Sequence, residues 1–213
     1  MTPGNLQRRS ASVGRRFVVP AGGGYGAPMP LFTSPRERQL WTWAASAVAA
    51  IWATTGVAGS LAQYVAGTGV VELAFSLGFL AAVIAVVANA VNRPGERRGV
   101  WVPLAVIVVY WMVAVRLGAV ERTHLFEYGL LAVLIHEALL EGRRHGRSLP
   151  APAPAAIVST ALLGWMDEGI QALFPSRVYD LRDVGVNALA ALMAVLASVV
   201  LRWGRRRLTG TPG

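Results

Sequence analysis

From Leu40 onward the chain alternates long apolar runs with short polar breaks. Six runs stand out, at about Leu40 to Val65, Val70 to Val91, Val100 to Val120, His124 to Leu140, Ala155 to Leu173 and Asp183 to Leu201. A hydrocarbon core of about 30 Å takes about 20 apolar residues per helix, so each run is long enough to cross it, the fourth by the smallest margin. The breaks carry turn and charge signals: Gly67-Thr68-Gly69, Asn92-Arg93-Pro94-Gly95, Glu121-Arg122, Arg143 to Pro154, and Phe174 to Arg182. This pattern predicts an all-α, polytopic membrane protein of six transmembrane helices. Residues 1–38, rich in Gly, Pro, Ser and Arg and without apolar periodicity, read as a disordered basic tail.

The arginines set an orientation. Arginine is favoured in short cytoplasmic loops. With the N-terminus inside, the tail, the second and fourth breaks and the C-terminus hold all of the 20 basic residues except Arg116, Arg122, Arg177 and Arg182. Alternate segments obey the bias without exception, which supports an even number of spans and two cytoplasmic termini. The organisation expected is a tail over 1–38, two helices over 39–98, a four-helix region over 99–203 and a cytoplasmic tail over 204–213.

Composition narrows the function classes. The chain is 54% hydrophobic and 15% charged, with a mean hydropathy of +0.49, a balance that soluble domains do not reach. Its net charge of +9 carries no lysine, and the arginines lie between apolar runs and not on a nucleic-acid-binding module, so no nucleic acid is expected. There is no cysteine, which removes disulfides and thiolate chemistry. Arg15-Arg16 is followed by Pro20 and a glycine run instead of the apolar stretch of a twin-arginine signal. Gly22-Gly23-Gly24 lacks the Lys-Ser/Thr of a phosphate-binding loop.

Ionisable groups in a span cost about 2.5 to 3.5 kcal/mol at its centre, so their positions are informative. His124, Glu127 and Tyr128 share one face of the fourth helix by their i, i+3, i+4 spacing. Glu168 and Gln171 lie one turn apart on the fifth, followed by Pro175, Arg177 and Asp180, and Asp183 and Asn187 stack at i, i+4 on the sixth. The proposed orientation brings all three groups to the non-cytoplasmic side. Taken singly each has a plain account: snorkelling to water for His124 and Glu127, an N-cap for Asp183, interhelical glue for Asn187. Glu168, about five residues inside its run, requires a partner such as Arg177 or His124, or a wet cavity. Asp167 points about 100° around the helix from Glu168, so at most one of the two is expected to face the cluster centre squarely. His136 and Glu137 read as residues of the cytoplasmic interface, Gly56 and Ser60 as a close helix contact, and Trp41, Trp43, Trp101 and Trp203 as an aromatic belt. No cofactor or metal is expected; an ion held by His124, Glu127, Glu168 and Asp183 is conceivable but nothing in the spacing supports it.

The runs Glu121-Arg122-Thr123-His124-Leu125-Phe126-Glu127-Tyr128, Glu168-Gly169-Ile170-Gln171 with Pro175 and Arg177, and Asp183 with Asn187 resemble, in order and spacing, the VanZ-like family. The likeness covers roughly Trp101 to Leu201, the first two helices fitting only the general layout. Glu121 stands where Asp or Ser is common, and Ala190-Ala191 replace a frequent glycine, which bears on helix packing. The family's motif positions fall here on His124, Tyr128, Glu168, Gln171, Pro175, Arg177, Asp183 and Asn187. The founding member is associated with teicoplanin resistance, and the family has no agreed biochemical activity.

The resemblance and the cluster together point to an envelope protein that binds or modifies a lipid, lipid-linked precursor or lipoglycopeptide at the outer leaflet. Arg177 would pair a phosphate or carboxylate, and in an enzymatic version Glu168 and His124 would be general acid and base. No Ser-His-Asp, HExxH or phosphatase pattern is present. The alternative is a structural network that packs the last three helices. Transport is disfavoured because the polar residues do not continue through the bilayer midplane.

Overall fold

A computed structural model describes residues 31–66, 68–92, 99–149, 151–173 and 179–209. It is all-helical: α1 (Pro35–Ala66), α2 (Val70–Asn92), α3 (Trp101–Ala114), α4 (Ala119–Arg144), α5 (Pro152–Gln171) and α6 (Leu181–Thr209). Among the described residues three stretches are long and apolar enough to cross a membrane, Glu72–Asn89, Glu121–Arg144 and Leu181–Arg207.

The central element is α4, which packs against α6, α1 and α5. Leu125, Tyr128, Leu131, Ala132 and Ile135 are buried along it at spacings of three and four, the stripe a helix presents to a neighbour. Opposite them lie Ala190, Ala191, Ala194 and Val195 of α6, with Ala44 and Ile51 of α1 and Ala156 of α5 completing the core. Ala190 and Ala191 are both fully buried.

Helices α2 and α3 are peripheral. They touch each other, and Phe79 packs edge-on to Trp111 with ring centroids 4.9 Å apart. Leu73, Leu77, Leu80, Ile84, Val108, Val109 and Met112 are exposed, and none of the α2 stretch is buried. An apolar surface this continuous is what a lipid solvent tolerates and water does not. Trp43, Trp101 and Trp203 are also exposed.

Several boundaries differ from the sequence expectation. The apolar run of the third helix continues to Val120, but α3 ends at Ala114. There Arg122 Nε donates to the carbonyls of Ala114 and Leu117, at 2.9 and 3.0 Å, satisfying groups a helix end leaves open. Glu121 meanwhile accepts the Gly118 N–H, starting α4 five residues before His124. The tail boundary at 38 is also corrected: α1 begins at Pro35 and Glu37 is fully buried. At the other end α6 continues to Thr209, beyond the expected tail start at 204. The expected disordered segment up to residue 30 lies outside the described residues, as do the side chains of Gly56 and Ser60.

Helix α4 stops at Arg144, and Gly146 follows with φ +84°, the left-handed conformation that glycine adopts without strain at a helix C-terminus. Pro152 then opens α5 at its first position, where a missing N–H costs nothing.

Candidate functional site

The first turns of α4, the last turns of α5 and the first turns of α6 meet at one end of the bundle. His124, Tyr128, Glu168, Gln171 and Asn187 are all buried there, while Glu127 and Asp183 are half-buried. Asp180 is exposed just before α6; its carboxylate accepts the Arg182 N–H at 2.8 Å, and its own backbone N–H reaches the Glu168 carboxylate. Pro175 and Arg177 lie outside the described residues.

Asp167 is a correction. Only one of Asp167 and Glu168 is expected to face the cluster centre, yet both are 1% exposed and Asp167 is central to it. The Tyr128 hydroxyl donates to its Oδ2 at 2.9 Å, and Gln171 Nε2 donates to the same oxygen at 3.1 Å and to Glu168 Oε1 at 3.1 Å. The reason is geometric: α5 contacts both α4 and α6, so its buried arc is wide enough for residues 100° apart to face inward together. The sequence signal was the adjacency of two acids inside an apolar run.

His124 lies parallel to the Tyr128 ring, 7° between planes and 5.9 Å between centroids. One of its ring nitrogens and one oxygen each from Asp167 and Glu168 all lie within 4.8 Å of one another. Glu127 and Asp183 are close enough to His124 to interact with it electrostatically. Four carboxylates thus converge on one imidazole, whose Nδ1 is buried with no hydrogen-bond partner among the described residues.

Asn187 is held by contact more than by bonding. Its Nδ2 lies 3.5 Å from the Gly164 carbonyl, the limit of a hydrogen bond, and its Oδ1 has no partner among the described residues. A Cβ on Gly164 would fall 2.7 Å from the Asn187 Cβ. Glycine at 164 therefore sets how closely α5 approaches α6 beneath the acidic cluster.

His136 is a second correction. It is 2% exposed inside the bundle, not at an interface with water, because α4 has neighbours on several sides. Glu137 pairs with Arg202 of α6.

No family model, curated protein or solved structure matches the chain. Function is therefore argued from the site.

Proposed function

We propose that this chain is a VanZ-like protein of the cell membrane, six times spanning, with both termini cytoplasmic. On this reading it binds or modifies an amphipathic envelope molecule, a lipid, lipid-linked precursor or lipoglycopeptide such as teicoplanin, at the outer leaflet, and contributes to antibiotic resistance. The observation that carries the reading is the buried assembly of His124, Asp167 and Glu168 at one end of α4–α6. Burying several acids beside one imidazole is costly, and ionisable groups held inside a membrane protein mark ligand or reaction sites. The arginine distribution and the apolar outer faces of α2 and α3 support the membrane placement.

A purely structural role is the second reading, favoured by the bonds of Tyr128 and Gln171 to Asp167. Sensitivity of a deletion strain to teicoplanin and lipopeptides, complemented with wild type, Glu168→Gln or Arg177→Ala at matched membrane abundance, separates the two. Loss of protection at normal abundance is the expected result. Full protection by Glu168→Gln at normal abundance would defeat the proposal, and loss of the protein itself would favour packing.

A further inference from the structure

We propose that His124, Asp167 and Glu168 bind one divalent transition-metal ion of the zinc type. Three side chains from two helices offer one imidazole nitrogen and two carboxylate oxygens, all within 4.8 Å of one another and all buried. Ligands around zinc sit at about 2.0 to 2.2 Å, hence about 3.4 Å apart in tetrahedral geometry, so side-chain shifts of about 1 Å close this set on an ion. Imidazole with carboxylate is the donor mixture of zinc sites that keep a position for water or an anionic group.

An independent observation comes from the histidine. Its Nδ1 is buried and has no hydrogen-bond partner among the described residues, although the side chain is 7% exposed. A buried nitrogen of this kind normally costs stability unless something occupies it. Around the three ligands the outer contacts of a metal site are in place. Tyr128 and Gln171 hydrogen-bond the Asp167 carboxylate, Gln171 also holds Glu168, and the Tyr128 ring stacks on the imidazole. Such partners fix the rotamers of ligating groups and raise affinity. Glu127 and Asp183, both half-buried, bring two further carboxyl groups close enough to interact with the imidazole.

With three protein ligands, a tetrahedral ion has one position left. That position would take the phosphate or carboxylate of an envelope molecule, with the ion polarising it. The inference rests on the reading of this cluster as a functional site, but its test does not pass through drug sensitivity.

The full chain, purified in detergent and stripped with EDTA, is titrated with Zn²⁺ and Co²⁺ and its metal content measured after gel filtration. The expected result is about one ion per chain, a rise in melting temperature on Zn²⁺ addition, and visible Co²⁺ absorption typical of low coordination. His124→Ala and Glu168→Gln each weaken binding by about 100-fold or more, and Gln171→Ala, acting through the carboxylates, by about 10-fold. A monodisperse wild type that retains no more Zn²⁺ than His124→Ala/Glu168→Gln, and whose melting temperature ignores both Zn²⁺ and EDTA, overturns the metal site. The wild-type melting shift decides the matter even where the variants fail to fold. If Glu168→Gln abolishes protection while wild type binds no metal, the functional site survives and only the ion is lost.

Discussion

Buried charge occurs at both ends of α4, and the two ends treat it differently. Near the C-terminal end Glu37 of α1 is fully buried, yet the Thr33 N–H and hydroxyl both donate to its Oε2, at 2.6 and 2.7 Å. Its other oxygen lies 2.9 Å from Arg147 Nη1, a charge contact more than an aligned hydrogen bond. Ser34 links the same segment to Glu141. Near the N-terminal end, about 25 Å away at 1.5 Å per residue, His124 has a buried nitrogen without a hydrogen bond and carboxylates crowd around it. The first group pairs Glu37 with Arg147 and Glu141 with Arg144 and adds short-range donors, which describes a clasp between α1, the end of α4 and the loop that follows it. The second has an excess of acids and an open donor position, which describes a place for something else. Burial alone does not distinguish the two; the ion pairs of the first group do.

The comparison can be broken most sharply at the clasp. Glu37→Gln removes the charge that Arg147 faces, and breaking a buried pair costs about 3 to 5 kcal/mol, the lower end applying here because Arg147 is partly exposed. Detergent melts should show the loss. The pH dependence has a definite sign. Burial pushes the Glu37 carboxyl up, but the Thr33 hydrogen bonds and the Arg147 charge outweigh it and hold it below the ordinary glutamate value. A depressed folded-state pKa stabilises fully above the unfolded value of about 4.3 and is lost as pH falls through the folded value. Melts from about pH 6 to about pH 3 should therefore steepen at the acid end in wild type and less so in Glu37→Gln.

A smaller effect is expected where α5 meets α6. Gly164→Ala sets a methyl 2.7 Å from the Asn187 Cβ and should cost about 2 kcal/mol, read as reduced membrane abundance. Protection should fall in proportion to abundance and no further. Smallest is Tyr128→Phe. Asp167 keeps its Gln171 bond, so the loss should be about 1 kcal/mol in a melt.

Much of this was legible in the chain. Apolar runs located six helices, and i, i+3, i+4 spacing found His124, Tyr128, Glu168, Gln171 and Asn187, because a helix face is a local property. What escaped depended on neighbours. The end of α3 is set by the side chain of Arg122 reaching back across a turn whose residues are as apolar as the helix before it. Asp167 and His136 are buried against expectation because the width of a buried arc depends on how many helices touch, which no single periodicity records. Glu37 sits in a polar stretch, and its burial follows from Arg147, more than a hundred residues away in sequence.

The measurement that tests the contrast most directly is a side-by-side melt of purified, EDTA-stripped wild type, Glu168→Gln and Glu37→Gln at neutral pH. A functional cluster crowded with acids should lose little or gain when one charge is removed, so Glu168→Gln should melt within about 1 °C of wild type or above it. Glu37→Gln should melt roughly 5 °C or more below. If Glu168→Gln falls as far as Glu37→Gln, the cluster on α4–α6 is a packing network like the clasp, and the functional reading is contradicted.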